Sequence, residues 1–149
     1  LHLCGEFDVG LETVNEFHHP VFHFYSMKIF EPEKCLIRLK KRSETLDAGS
    51  WADQGAPFYS GGAVYHFTVE TEDSESVLVF PDAAHVCEVE WDGRPLGRAA
   101  WPPYRFPLGK PGKGRHELAV RVYNTLANQL EEYRAASGLV QGGMLVSVL

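Results

Sequence analysis

The stretch from Val86 to Gly97, which reads Val-Cys-Glu-Val-Glu-Trp-Asp-Gly-Arg-Pro-Leu-Gly, decides the fold. Apolar and polar residues alternate up to Trp91, as in a strand with one buried face. Asp92-Gly93 then interrupts the alternation. This pair is the strongest short-range signal for a β-hairpin, because both residues tolerate the positive φ that a two-residue turn requires. The segment therefore predicts two antiparallel strands joined by that turn.

Other alternating or apolar runs lie along the whole chain. They cover residues 1–9, 22–30, 35–39, 63–71, 76–80, 104–108, 116–124 and 144–149. The run 76–80 is continuously apolar after Ser76, which is typical of a strand buried on both faces. One short helix is predicted over 126–136, where leucine and tyrosine recur at helical spacing before Gly138. About eight to ten short strands with Gly and Pro turns predict an all-β sandwich or jelly roll.

The composition predicts one soluble domain over residues 1–149. The chain has 149 residues, is 44% hydrophobic and carries a net charge of −6, which is ordinary for a globular domain with a sizeable core. Lys40-Lys41-Arg42 is the only basic run, so we expect no nucleic-acid partner. No run approaches the ~20 apolar residues of a membrane span, so no membrane partner is expected either. Because the chain starts at Leu1 rather than Met, we expect a fragment of a larger protein.

The three cysteines, Cys4, Cys35 and Cys87, form an odd set without metal-ligand spacing. Buried free thiols are the favoured interpretation, and Cys87 should face a core because it shares a strand face with Val89 and Trp91. A Cys4–Cys35 disulfide is the alternative. The odd count leans towards a reducing, cytoplasmic compartment.

Several motifs follow one another in an order that is known from one family. They are Leu46-Asp-Ala-Gly-Ser-Trp51, Pro57-Phe-Tyr-Ser-Gly61, Val64-Tyr65, Val89–Gly97, Leu118–Asn128 and Ser137-Gly138-Leu139. Together they resemble the galactose-binding-like β-sandwich, often called the sugar-binding domain, of family 2 and related bacterial glycoside hydrolases, α-rhamnosidase-like enzymes included. The match covers residues 46–149, with a weaker fit over 3–9 and no matching motif over 10–45.

The resemblance implies a non-catalytic accessory domain. In such enzymes the catalytic carboxylates usually lie in a separate barrel domain, on which the sandwich packs. The expected partner is then the catalytic domain of the same polypeptide, with an oligo- or polysaccharide as a further partner. An autonomous carbohydrate-binding module is the alternative, and a small enzyme is a third interpretation. Because a fold alone does not settle function, the residues have to be weighed separately.

Acid–base chemistry is not predicted for any pair of carboxylates. A glycosidase needs two, about 5 to 10 Å apart. Glu88 and Glu90 project from the same face of one strand about 7 Å apart, so their spacing is acceptable. We nevertheless expect this to be a solvated strand face, and no catalytic residue is assigned.

Aromatic rings in predicted loops are the candidates for glycan contact, because sugars bind by stacking on flat rings with a few planar polar groups beside them. With their polar neighbours, these candidates are Trp51, Phe58, Tyr59, Trp101, Tyr104, Arg105, Asn124 and Asn128. The alternative interpretation is packing within the sandwich or against a sister domain. Trp91 is expected in the core.

No metal or cofactor is assigned. His18, His19 and His23 have a spacing that metal ligands can have, but they lie in an apolar segment without helical periodicity. A structural Ca²⁺ ion is compatible with this fold class, yet Asp47, Asp53, Asp73 and Asp82 are scattered and form no Ca²⁺-binding loop pattern.

Overall fold

The computed structural model describes residues 7–13, 35–41, 45–130 and 135–147. The chain divides into two compact units, residues 1–44 and 45–149. In the first unit, β1 (Phe7–Thr13) pairs antiparallel with β2 (Cys35–Lys41). The predicted strand over 22–30 and the three histidines at 18, 19 and 23 lie outside the described residues. That residues 1–149 form a single domain stays a prediction.

The second unit is a sandwich of two antiparallel sheets. Its strands are β3 (Gly62–Thr71), β4 (Ser76–Phe80), β5 (Val86–Trp91), β6 (Arg94–Ala99), β7 (Tyr104–Gly109), β8 (Gly114–Tyr123) and β9 (Met144–Ser147). One sheet has the order β3-β8-β5-β6 and the other the order β7-β4-β9. The described residues contain nine strands in all, so the predicted all-β sandwich of about eight to ten strands is confirmed.

The predicted helix over 126–136 is a single turn, α1 (Ala127–Leu130). Residues 135 and 136 are not helical, and 131–134 lie outside the described residues. The backbone N–H and C=O of Ala135 both bind the side chain of Asn128 instead of continuing a helical pattern. Within the described residues, no helix is both long enough and apolar enough to span a membrane.

The Asp92-Gly93 turn joins β5 to β6, as the sequence predicts. Both residues have positive φ, +48° for Asp92 and +75° for Gly93. The Asp92 carboxylate also accepts hydrogen bonds from the His116 imidazole (2.7 Å) and from the backbone N–H of Glu117 (2.9 Å). The hairpin is therefore anchored to β8 at its tip.

The core lies between the two sheets. Its large side chains include Trp51, Tyr65, Phe80, Val89, Trp91, Tyr104, Phe106, Val120, Val122 and Leu139. The predicted core position of Trp91 is confirmed, and Cys87 is a fully buried free thiol, also as predicted. Burial, with a smaller effect of the neighbouring Glu88 charge, raises the pKa of the Cys87 thiol to about 12. The Cys4–Cys35 alternative stays a prediction, because Cys4 lies outside the described residues.

Candidate functional site

Four connecting segments meet at one end of the sandwich, which we call the loop end. Gly62 and Val86 both pair with Tyr123, so β3 and β5 begin where β8 ends. Phe80 pairs with Tyr104, so β4 ends there and β7 begins. The described parts of the segments 45–61, 81–85, 100–103 and 124–143 therefore share this end. All eight predicted glycan-contact residues lie in these segments or in the first two residues of β7.

Trp51 is a core residue and not an exposed loop ring. Its side chain is 0% exposed, and its indole N–H donates to the Tyr65 hydroxyl at 2.5 Å. The backbone N–H of Trp51 donates to the carbonyl of Ser137 at 3.0 Å. Gly138 has φ +89°, and a Cβ there would collide with the indole ring. For Trp51 the structure therefore favours the alternative of packing within the sandwich over glycan contact, because the segment 45–61 folds inward and completes the core.

The two asparagines bind the chain's own backbone. Asn124 accepts from the N–H of Gly61 (2.9 Å) and donates to the carbonyl of Tyr59 (2.7 Å). Asn128 is 4% exposed and holds both backbone groups of Ala135, at 2.6 and 2.8 Å. These amides fix the loops on either side of Trp51, so the structure gives them a positioning role where the sequence suggested glycan contact.

Tyr104 and Tyr59 are also engaged internally. Tyr104 is 3% exposed, and its hydroxyl donates to the carbonyl of His85 at 2.8 Å. Burial, followed by the nearby Asp82 carboxylate, raises the pKa of the Tyr104 phenol. The half-buried Tyr59 donates its hydroxyl to the carbonyl of Gly62 at 3.0 Å, and its ring meets that of Trp51 edge-on. The Tyr104 hydroxyl thus ties β7 to the segment that precedes β5.

Three of the eight candidates are exposed. Trp101 is 74% exposed and Phe58 is 49% exposed. Arg105 is exposed on β7. Two prolines follow Trp101 directly, which restricts the backbone of its loop. At the loop end, a flat ring surface for a ligand is therefore offered mainly by Trp101.

A shallow, open depression of about 470 Å³ also lies at the loop end. Its lining consists of Ser50, Ala52, Asp53, Ala135, Ala136 and Val140. Ligand sites usually combine apolar or aromatic walls with a few converging polar groups. This lining has a single carboxylate, no aromatic ring and none of the predicted glycan-contact residues.

The acidic pair of β5 lies on the outer surface of the four-stranded sheet. Glu88 is bound by Arg98, whose Nε lies 2.6 Å from the carboxylate and whose Nη2 contacts the same oxygen. The Tyr123 hydroxyl lies 3.4 Å from the other carboxylate oxygen. A glycosidase needs two carboxyl groups placed across a scissile bond, whereas Glu88 is paired with a guanidinium on an open sheet surface. Glu90 beside it is exposed.

Metal ligands do not converge in the part of the chain that the structure describes, where no group of three or more His, Cys, Asp or Glu side chains comes together. A Ca²⁺ site stays untested, as does the histidine cluster outside the described residues.

Sequence reasoning missed the residue that holds Trp51. Tyr65 accepts the indole N–H through its hydroxyl, and the same hydroxyl accepts the N–H of Leu139 at 3.2 Å. The signal was present, because alternation already directs Tyr65 inward and buried Trp and Tyr each need a polar partner. Only the identity of that partner required the structure.

Comparison with solved structures places the fold. No protein-family model matches the chain, and no curated protein sequence matches it. A rhamnosidase from a Novosphingobium species is similar with a TM-score of 0.58 and 21% identity, over 75% of this chain and 13% of that one. A family 2 β-galacturonidase from Eisenbergiella tayi, solved with glycerol, has a TM-score of 0.55 and 18% identity, over 95% of this chain and 24% of that one.

The similarity is one of fold. The chain spans only about an eighth to a quarter of the length of these two glycoside hydrolases. The β-sandwich fold expected from the family resemblance is thus confirmed, and in these two enzymes the matching region is a small part of the chain.

Proposed function

We propose that this chain is a non-catalytic β-sandwich domain of a bacterial glycoside hydrolase and that it packs on the catalytic domain of the same polypeptide. The proposal rests on how much of each chain the structural similarity covers. The β-galacturonidase matches 95% of this chain, yet the chain covers only 24% of that enzyme. A domain of this size in such an enzyme lies beside a much larger remainder.

The carboxylates support a non-catalytic role. A glycosidase pairs an acid of raised pKa with a second carboxylate across the scissile bond. Glu88 is instead engaged by Arg98 and Tyr123 on an open sheet surface. Asp53 is alone in the depression at the loop end. These residues are suited to solvation and ion pairing rather than to glycoside cleavage.

The test compares the isolated chain with the full polypeptide that its gene encodes. Both are assayed on nitrophenyl glycosides, with α-L-rhamnoside and β-D-galacturonide included. We expect hydrolysis by the full polypeptide and none by the isolated chain. Glu88→Gln and Glu90→Gln in the full polypeptide should leave kcat unchanged. Hydrolysis by the isolated chain, or a full polypeptide without a catalytic domain, would contradict the proposal.

Trp101, Phe58 and Arg105 are the residues that we propose for contact with a glycan. The support is the 74% exposure of Trp101, since stacking on a sugar needs an uncovered ring. Saturation-transfer NMR with rhamnose and with galacturonate tests this on the isolated chain. Signals that disappear in Trp101→Ala and persist in Leu126→Ala, an exposed control at the same end, would support the contact. Signals equal in both variants would exclude Trp101.

A further inference from the structure

The outer surface of the three-stranded sheet is apolar. The inward residues of its strands, such as Leu78, Phe80 and Phe106, are buried in the core. The residues between them point away from the core and form two rows. Val77 pairs with Pro107 and with Val146, and Val79 pairs with Arg105 and with Met144. We call these six residues the apolar outer face.

Solvent reaches this face. Met144 is 51% exposed and Val146 is 39% exposed. Pro107 is exposed, and Val77 and Val79 are half-buried. The continuous apolar run of β4 predicted a strand buried on both faces, and the structure buries it on one. A contiguous exposed apolar surface commonly marks an interaction site.

The outer surface of the four-stranded sheet has the opposite character. Its outward residues include Glu70, Glu88, Glu90, Glu117, Arg98, Arg115 and Arg121. Glu88 pairs with Arg98, and Arg115 lies 3.6 Å from Glu70. An antiparallel sheet with one buried face normally turns such a polar surface to water. Only the three-stranded sheet departs from that pattern.

We propose that the apolar outer face is the surface by which the sandwich packs on the catalytic domain of its own polypeptide. This inference rests on the proposed function and assigns the contact surface for it. The occupant is an apolar surface of that domain with a carboxylate opposite Arg105, which is the only charged residue of the face among the described residues. A guanidinium that loses water at an interface requires such a partner.

Size favours a tethered domain over a second copy of the chain. A standard interface between free proteins uses about 20–30 residues a side. The six residues of the apolar outer face fall well short of that. Interfaces between domains of one chain are smaller, because the linker supplies a high effective concentration.

The position of β9 also favours a domain of the same polypeptide as the occupant. Among the described strands it is at an edge of this sheet, next to β4, and it contributes Met144 and Val146 to the face. The last residue of β9, Ser147, therefore lies beside the apolar outer face. The same strand borders no part of the charged surface on the other sheet.

Cysteine labelling tests the proposal with a matched pair. Val146→Cys lies on the apolar outer face and Val64→Cys on the charged surface. The two valines are 39% and 42% exposed, and each lies on an edge strand. Cys4 and Cys35 are replaced by serine, while Cys87 stays because it is fully buried. Maleimide labelling rates are measured in the isolated chain and in the full polypeptide, with Met144→Cys as a second probe of the face.

We expect position 146 to label at least about tenfold more slowly in the full polypeptide than in the isolated chain, because it is reached only through local opening. Position 64 should label equally in both. Equal labelling of positions 146 and 144 in both forms would overturn the proposal. So would a dimer of the isolated chain that Val146→Glu dissociates, since the occupant would then be a second copy.

The experiments distinguish failure of the proposed function from failure of the docking surface. A full polypeptide without a catalytic domain, or a hydrolytically active isolated chain, removes both proposals at once and is seen before any labelling. A hydrolase whose catalytic domain leaves position 146 open keeps the proposed function and removes only the docking surface.

Discussion

Trp51 and Trp101 lie in loops at the same end of the sandwich but play opposite parts. Trp51 is 0% exposed and Trp101 is 74% exposed. The Trp51 ring has a hydrogen-bond partner in Tyr65, and its backbone is bonded to Ser137. The difference shows that the burial of an aromatic ring in a loop depends on the residues that contact it and not on its location in a loop. The region around Trp51 is an extension of the core, and the region around Trp101 is surface.

Replacement of Trp51 by alanine gives the largest expected effect. It empties a fully enclosed site and removes one of the two N–H donors to the Tyr65 hydroxyl. We expect a loss of about 3–5 kcal/mol in the free energy of unfolding. Urea unfolding followed by far-UV circular dichroism measures it. Trp51→Phe keeps much of the ring and should cost less, so equal losses would show that ring volume is not what matters.

Replacement of Asn124 by alanine tests whether the Trp51 region depends on the hydrogen bonds that hold its loop. The side chain joins residues 63 positions apart through its bond to Gly61 and makes a second bond to Tyr59. Losing both bonds should cost about 1–3 kcal/mol in the same unfolding experiment. Asn124→Asp retains the acceptor and loses the donor, so we expect an intermediate loss. A loss within ~0.5 kcal/mol, as at ordinary surface sites, would mean that the loop does not need this anchor.

Asp92 anchors the β5–β6 hairpin at the end of the sandwich opposite the loop end. Unlike the amide of Asn124, its carboxyl group titrates. The hydrogen bond from His116, followed by that from the Glu117 N–H, lowers the pKa of the Asp92 carboxyl from its ordinary value of 3.8. A folded pKa below the unfolded one stabilises the fold above pH 3.8, and this contribution is lost as the pH falls through the folded pKa. The difference in melting temperature between wild type and Asp92→Asn should therefore be largest at neutral pH and should decrease below pH 3.8.

The Asn124 variant supplies the contrast for this pH series. Because an amide does not titrate in this range, the difference between wild type and Asn124→Ala should not follow the same curve. A difference between wild type and Asp92→Asn that stays constant between neutral pH and pH 3 would contradict the assigned role of the Asp92 carboxylate.

Replacement of Trp101 by alanine gives the smallest expected effect on stability. The ring is mostly in solvent, so we expect the free energy of unfolding to change by no more than about 0.5 kcal/mol. Thermal unfolding of the isolated chain measures it. A loss comparable to that of Trp51→Ala would erase the distinction between the two loop regions.

The strands and the hairpin could be predicted because their signals are local. The Asp92-Gly93 turn follows from two adjacent residues, and the burial of Cys87, Val89 and Trp91 follows from alternation within β5. The resemblance to the glycoside-hydrolase sandwich also leads to the fold that the structure shows.

The candidate site could be predicted only in part, because its contacts are distant in sequence. The Trp51–Tyr65 bond spans 14 residues and the Asn124–Gly61 bond spans 63. Nothing in the neighbouring sequence tells whether an indole or an amide will find such a partner. The predicted helix over 126–136 is also too long at its end, where Ala135 is not helical and its backbone N–H bonds to the side chain of Asn128.

The strand order has a consequence for how the molecule forms during synthesis. Within the described sandwich, only β5 and β6 are neighbours both in sequence and in a sheet. β3 must wait for β8, and β4 lacks one of its two partners until β9 has left the ribosome. We expect the hairpin to form early and the rest of the sandwich to close late and slowly, because pairing between distant segments requires costly loop closure first.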